Sequence, residues 1–143
     1  MSEYISVILQ RKVIEISYDH CEYCICPADY SIDFFQYDHI HPVCLGGLTI
    51  FANLARSCGG CNTYKAHKTH YYDPLTNLLC ALYNPRLDIW FHHFQWNEDT
   101  LRLIGKTATG RATIELLRLN RKGVINQRSL LQKVGLHPPF FTV

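Results

Sequence analysis

FQYDHIHPVCLGGLTIFANLARSCGGCNTYKAHK, residues 35–68, is the stretch that decides the fold of this chain. It contains an Asp-His pair, a Gly-Gly turn and a Cys-x-x-Cys pair, and a second Cys-x-x-Cys pair lies upstream. Two thiolates three residues apart can turn toward one ion, and tetrahedral zinc takes four such donors. The spacing therefore predicts a zinc site, with a group of buried reduced thiols as the alternative. The predicted ligands are Cys21, Cys24, Cys58 and Cys61.

The cysteine content also bears on the compartment. The chain has seven cysteines in 143 residues, and an odd number cannot all pair in disulfides. The N-terminus, MSEYISVILQRKVIEIS, has no basic leader followed by an apolar stretch and a cleavage site. We therefore expect a cytoplasmic protein whose thiols bind metal. Cys26 lies close enough to the first pair to be a decoy or a substitute ligand.

The interval between the two cysteine pairs is long enough to fold. Its 33 residues exceed the ~15–20 of a simple zinc ribbon. Residues 32–37 are typical of a strand, residues 48–54 of a second short extended segment, and residues 62–67 of the start of a helix. The interval therefore predicts two strands and a helix, clamped at the base by zinc.

Candidate catalytic groups lie inside this module. A hard divalent cation prefers oxygen donors, and Asp38 and Asn62 supply a carboxylate and an amide carbonyl. Hydrolysis of a phosphodiester also needs a base, and an imidazole is suited to that role near neutral pH, so His39 is the candidate base. An isolated Asp-His pair is more often structural. The flanking cysteine pairs, with Asn62 and Lys65 after them, favour the catalytic interpretation.

Taken together, these residues resemble the HNH endonucleases with a ββα-metal centre, in the variant that has a four-cysteine zinc site and Asn at the third motif position. The similarity extends from about residue 21 to about residue 131. The central motif consists of Asp38-His39-Ile40-x-Pro42, Gly46-Gly47, Asn53-Leu54, Cys58-x-x-Cys61-Asn62 and Lys65.

This resemblance implies a role for each matching residue. His39 is the expected general base, and Asp38 and Asn62 are expected to hold one catalytic cation, Mg²⁺ or Mn²⁺. Asn53 is expected to stabilise the loop and orient His39, and Lys65 to lie near the phosphate. The family implies 5′-phosphate and 3′-hydroxyl products.

The C-terminal half is less specific. Trp90, His92, Phe94 and Trp96 alternate and predict one face of a strand, with a turn at 97–100 leading into a second strand at 101–104. The alternation fits a packed core face, and it also fits an aromatic surface on which bases stack.

Basic residues are concentrated beyond the central motif. Residues 62–143 contain eleven Lys/Arg against five Asp/Glu, whereas residues 1–61 contain three against seven. We predict a helix from Thr107 through Asn120 and a second helix over 124–134. Three basic residues recur at helical spacing, either as a solvated face with internal ion pairs or as contacts to nucleic-acid phosphates. These residues are Arg111, Arg118 and Lys122.

The sequence thus predicts an α+β fold, with a ββα-metal (HNH/His-Me finger) core stapled by a four-cysteine zinc site and a C-terminal β-hairpin and helices. We expect a single domain, 1–143, with an N-terminal helix at 3–17, the core at 18–70 and the hairpin and basic helices at 71–143. No apolar run approaches the ~18 residues of a membrane span.

The expected function is that of a metal-dependent endonuclease acting on DNA. The alternatives are a non-catalytic zinc module that binds nucleic acid or protein, and the same nuclease chemistry on RNA. The sequence does not distinguish a monomer from a homodimer.

Overall fold

The computed structural model describes residues 4–143, which form two units of helices and short antiparallel strand pairs. The first unit comprises the described residues up to Thr69 together with Asn84–Arg86, and the second comprises His70–Tyr83 and Leu87–Val143. The predicted α+β class is confirmed. Within residues 4–143, no helix is both long and apolar enough for a membrane span.

Helix α1 (Val7–Ser17) opens the first unit. The Ser6 side chain caps it by accepting a hydrogen bond from the Leu9 amide at 3.2 Å. The helix ends at Tyr18, whose φ of 52° is left-handed. The predicted helix was 3–17: its end agrees, its start is four residues later, and residue 3 lies outside the described residues.

The ββα module follows as predicted. Strand β1 (Gln36–His39) pairs antiparallel with β2 (Leu54–Ser57), so that Asp38 faces Ala55. Helix α2 (Gly59–Lys65) begins directly after β2. Strand β1 therefore contacts both β2 and α2, which together form the ββα module.

The boundaries of the two strands differ from the prediction. The predicted strand at 32–37 was wrong over its first part, because Ile32 and Phe34 are 102% and 97% exposed and pack on nothing that would hold them extended. The predicted segment at 48–54 is mainly loop, including a 3₁₀ turn at Phe51–Asn53. Composition alone indicates extended backbone but not which residues find a partner strand.

The Asn84–Arg86 segment belongs to the first unit through a buried ion pair. The Arg86 guanidinium donates to the Glu22 carboxylate, and its Nε donates to the Leu54 carbonyl at 2.9 Å. Glu22 also accepts from the Arg56 amide at 2.8 Å. These contacts explain why a short Asn-Pro-Arg sequence clusters with β2.

In the second unit, strand β3 (His70–Tyr72) pairs with β4 (Leu79–Ala81) around a turn organised by Asp73. The Asp73 carboxylate is fully buried, and it accepts from the Thr76 hydroxyl at 2.8 Å. It also forms a bidentate pair with Arg111, with both N–O distances at 2.8 Å. The turn is therefore fixed by a charge-assisted contact.

The aromatic segment corrects a prediction. Helix α3 (Trp90–His93) precedes strand β5 (Phe94–Trp96), which pairs with β6 (Leu103–Gly105). The hairpin is confirmed, but a strand beginning at Trp90 was wrong. The Trp90 ring packs against Phe94 with centroids 5.7 Å apart, and this four-residue contact suits a helical turn. Alternation in a short apolar window does not exclude such a turn.

Helix α4 (Ala108–Leu117) is capped by Thr107 as predicted, with the Gly110 amide 3.0 Å from its hydroxyl. The helix ends at Arg118, whose φ is 51°, so its predicted extension to Asn120 was wrong. Helix α5 (Lys122–Lys133) follows. The three predicted basic contacts therefore lie on α4, on its C-cap and on α5, not along one helix face.

Candidate metal centre and active-site cleft

Four cysteine sulfurs converge in the first unit. All four residues are buried, and their Sγ atoms lie within 4.8 Å of one another. The Cys24 and Cys58 sulfurs are 3.7 Å apart. A tetrahedron with zinc–sulfur bonds of about 2.3 Å has edges of about 3.8 Å, so the group fits a metal such as zinc. Its members are Cys21, Cys24, Cys58 and Cys61.

Each cysteine pair forms a turn that directs a backbone amide at its first sulfur. The Cys24 amide lies 3.5 Å from Cys21 Sγ, and the Cys61 amide lies 3.4 Å from Cys58 Sγ. Burial raises the pKa of the Cys21 thiol, so a metal that binds it as thiolate displaces a proton. Cys26 Sγ lies 3.3 Å from Cys24 Sγ but outside the converging group.

A cleft of about 630 Å³ adjoins β1 and α2. Its lining includes Asp38, His39 and Asn62, the three residues predicted to perform catalysis and hold its metal. Consecutive residues on a regular strand point to opposite faces. Asp38 and His39 both line this cleft where β1 ends, and Pro42 follows in the same lining.

The His39 imidazole is held by a residue that the sequence did not indicate. Its Nε2 lies 2.9 Å from the Thr49 hydroxyl. Asn53, predicted to orient His39, bonds the loop instead: Oδ1 accepts from the His41 amide at 2.8 Å, and Nδ2 donates to the Leu48 carbonyl at 2.8 Å. The loop-stabilising part of its expected role matches these contacts.

The Asp38 carboxylate lies mostly in the interior. It is 5% exposed, and it accepts from the Tyr23 hydroxyl at 2.7 Å and from Lys65 Nζ at 3.1 Å. Burial raises the pKa of Asp38, and Lys65 and Tyr23 act in the opposite direction. Burial also raises the pKa of Tyr23 well above its ordinary value, so its hydroxyl remains a donor. The two neighbours therefore stabilise the ionised carboxylate.

Lys65 has a different position from the one that the resemblance implies. Its side chain is 2% exposed, and its ammonium donates to Asp38 and, at 3.1 Å, to the Ile40 carbonyl. A direct contact with a phosphate is not supported by this geometry. Lys65 is the counter-ion of Asp38, placed there by the last turn of α2.

The Asn62 side chain is oriented by the start of β1. Its Nδ2 donates to Gln36 Oε1. The amide nitrogen is therefore directed at β1, and the carbonyl oxygen, the atom that a cation would bind, is on the other side of the amide.

The predicted basic contacts of the second unit differ among themselves. Arg111 is committed to Asp73, as described above, which favours the internal-pair interpretation for that residue. Arg118 and Lys122 are exposed. A phosphate contact by these two residues stays a prediction.

Sequence reasoning missed three residues of this region: Tyr23, Thr49 and His67. Tyr23 lies between two of the clustered cysteines, and no spacing rule assigns it to Asp38. Thr49 lies in a loop whose path depends on Asn53. His67 lines the cleft two residues beyond α2, and only its proximity to Asn62 in the sequence could have indicated it.

Comparison with known families gives one match in this region. Residues 21–68 match the family described as HNH endonuclease, so the resemblance stated from the sequence is confirmed for that segment. The matched segment contains the four clustered cysteines and the predicted site residues Asp38, His39 and Asn62. It implies nuclease activity on a nucleic acid.

A curated relative extends the similarity beyond that segment. The chain is 27% identical over 115 residues to the Septu protein PtuB of Bacillus thuringiensis. The alignment covers 79% of this chain and 41% of that protein, so the chain spans less than half of its relative's length. No solved structure matches this chain.

Proposed function

We propose that this chain is a metal-dependent endonuclease that hydrolyses phosphodiester bonds in DNA, with structural zinc on its four clustered cysteines. The observation that carries the proposal is the convergence of Asp38, His39 and Asn62 on one cleft, inside the segment that matches the HNH endonucleases. A carboxylate, an imidazole and an amide are the donor types that such chemistry needs.

The chain's own residues divide the work. Asp38 and Asn62 would hold one divalent cation, Mg²⁺ or Mn²⁺, through their oxygens. When bound, this cation supplies charge stabilisation at the scissile phosphate and at the leaving oxygen. His39 takes a proton from the attacking water, and the reaction leaves a 5′-phosphate and a 3′-hydroxyl. Lys65 and Tyr23 keep Asp38 ionised, and Asn53 fixes the loop.

The donor geometry supports both parts of this assignment. Thiolates favour zinc at the buried sulfur group, whereas oxygen donors at the cleft favour a harder cation. The ionised state of Asp38, which a cation requires, is maintained in the interior by two hydrogen-bond donors, the Lys65 ammonium and the Tyr23 hydroxyl.

The test is plasmid cleavage by the purified protein with magnesium, manganese or EDTA. Cleavage that needs the metal and is lost in His39→Ala supports the proposal. His41→Ala is a matched control, because His41 is an exposed histidine two residues away whose Nε2 contacts the Leu45 carbonyl. Full activity of His39→Ala would remove this residue from the mechanism.

A parallel assay distinguishes the nucleic acids. The rates of cleavage of single-stranded RNA, single-stranded DNA and duplex DNA are compared at one salt concentration, because the non-specific affinity of a protein for nucleic acid depends steeply on ionic strength. Faster cleavage of RNA would assign the same chemistry to the other substrate. Absence of cleavage on every substrate, with one zinc per folded chain, would instead favour a zinc module that only binds.

A further inference from the structure

The general base needs a partner that decides which of its nitrogens carries the proton. His39 Nε2 and the Thr49 hydroxyl oxygen are 2.9 Å apart, within hydrogen-bond distance. If the hydroxyl donated to Nε2, the ring hydrogen would be on Nδ1. The hydroxyl would then occupy the Nε2 lone pair, and no lone pair would be free to accept a proton from water. A base therefore requires that Nε2–H donate and Thr49 accept.

We propose that Thr49 is a positioning residue for His39, and that it accepts the Nε2–H hydrogen bond and leaves the Nδ1 lone pair for the attacking water. The proposal rests on the proposed function, since His39 matters as a base only in a nuclease. In this role Thr49 touches no reacting atom and acts through the ring of His39.

The loop that carries Thr49 is built to hold it in place. Asn53 Nδ2 bridges the carbonyls of His41 and Leu48, at 3.0 and 2.8 Å. Gly47 donates from its amide to the Pro42 carbonyl at 2.9 Å. A Cβ on Gly47 would lie 1.8 Å from the His41 carbonyl oxygen, so the two sides of the loop touch. In the sequence, Thr49 lies between Gly47 and Asn53, the two residues that make these contacts.

The contact also survives the proton transfer. When His39 becomes an imidazolium, both ring nitrogens are donors, and Nε2–H still donates to the hydroxyl. The ring therefore need not rotate between the two states, and this constancy favours proton transfer from a fixed geometry. A carboxylate partner, by contrast, would change its interaction strongly as the ring gains charge.

The first arm of the test needs no substrate. ¹⁵N-detected spectra of histidine-labelled protein at alkaline pH report which ring nitrogen carries the hydrogen. We expect His39 of the wild type to be protonated on Nε2, and Thr49→Val to shift both ring nitrogens as the bond is lost. Protonation of His39 on Nδ1 in the wild type would overturn the proposal.

The second arm measures turnover. General-base catalysis contributes roughly 10²- to 10⁴-fold, and loss of the group that orients the base should remove part of it, so we expect kcat of Thr49→Val to fall by roughly 10- to 100-fold with little change in KM. Thr49→Ser keeps the hydroxyl and should recover most of the rate. Thr63→Val is the matched control, because Thr63 is exposed on α2 and its hydroxyl donates to the local Gly59 carbonyl at 2.8 Å.

The two arms separate the failures. If the wild type cleaves nothing, the proposed function fails, and the spectra still decide whether Thr49 sets the tautomer. If the wild type cleaves and Thr49→Val has unchanged kcat, the positioning role is refuted. If Thr49→Ser is as slow as Thr49→Val, the hydroxyl is not what matters, and the proposal is refuted as well. Should Thr49→Val fail to fold, the wild-type tautomer decides alone: protonation of His39 on Nε2 supports the proposal, and protonation on Nδ1 refutes it.

Discussion

Replacing Lys65 with methionine tests whether the Lys65 ammonium is the internal counter-ion of Asp38. Methionine keeps most of the apolar length of the side chain and removes the charge. The two side chains are 2% and 6% exposed, so water cannot take over the role of the ammonium. What remains beside the carboxylate is the Tyr23 hydroxyl, at 2.7 Å.

The structure sets the size of the effect. Removing one partner of a buried ion pair leaves an uncompensated charge, which costs about 3–5 kcal/mol. One remaining neutral hydrogen bond recovers only about 0.5–1.5 kcal/mol of such a loss. We therefore expect Lys65→Met to lower the free energy of unfolding by about 3 kcal/mol, a large part of the stability of a small domain.

The measurement is urea unfolding at neutral pH with zinc in constant excess, because bound metal contributes to apparent stability. Lys68→Met is the matched control. Lys68 is exposed and lies three residues beyond Lys65, after the end of α2, so its replacement should change the free energy of unfolding by less than about 0.5 kcal/mol.

Combining the variant with Asp38→Asn isolates the pair. Each single change leaves one buried charge alone, whereas the double variant leaves none. The double variant should therefore recover roughly 1–3 kcal/mol of the summed single losses. Additive losses, or a Lys65→Met variant as stable as the wild type, would refute the assignment of Lys65 as counter-ion.

The pH dependence has a fixed sign. Burial raises the pKa of Asp38 and Lys65 opposes the rise, so removing Lys65 raises the carboxyl pKa further. A carboxyl group whose pKa is higher in the folded state does not lower the free energy of unfolding at pH values below its unfolded pKa of about 3.9. It lowers that free energy as pH rises through the folded pKa. The deficit of Lys65→Met relative to the wild type should be largest at neutral pH and shrink in acid.

Three further predictions concern the cysteine group, the Asp73 turn and the Gly47 turn. Cys58→Ser should lose bound zinc by elemental analysis and melt at lower temperature, whereas Cys26→Ser should keep one zinc, since Cys26 is outside the converging group. Hydrogen bonding from its arginine partner lowers the pKa of Asp73, so the stability advantage over Asp73→Asn should be full at neutral pH and decline in acid melts as pH falls through the folded pKa. Gly47→Ala places a Cβ 1.8 Å from a backbone oxygen and should lower the urea midpoint by the equivalent of about 1–3 kcal/mol, while Gly59→Ala, with nothing within 4 Å, should not.

Spacing predicted the parts of the site that depend on local geometry. Two Cys-x-x-Cys turns need only a few residues each to direct their sulfurs, and the sulfur cluster follows once β2 and α2 are adjacent. Asp38 and His39, which the motif singled out, both line one cleft at the end of β1. Local rules suffice where a motif contains its own geometry.

Spacing failed where burial decides. Lys65 has the sequence context of a surface cation after a metal motif. Its ammonium is nevertheless buried, where it donates to the Ile40 carbonyl and to the Asp38 carboxylate. In the sequence, Thr49 is an ordinary loop residue, and its position depends on the hydrogen bond by which Asn53 holds the neighbouring Leu48 carbonyl. The aromatic alternation at 90–96 fits a strand equally well, and ring packing against Phe94 selects a helical turn. Each of these depends on contacts between residues distant in sequence or on a choice that short-range pattern leaves open.

Helix α2 joins the sulfur cluster to the cleft. Its cap, Cys58, and its first-turn Cys61 belong to the metal group, the next residue is Asn62, and Lys65 ends the helix against Asp38. Seven residues are too few for a helix to be stable alone in water, where about 12–15 are needed, so α2 depends on its tertiary contacts, which include the cysteine group at its start and the Lys65–Asp38 ion pair at its end. If the four cysteines hold zinc and the cleft holds a cation, as proposed, removing the zinc should loosen Asn62 and Lys65 together. Chelation of the zinc should then weaken binding of the cleft cation as well as lower the melting temperature.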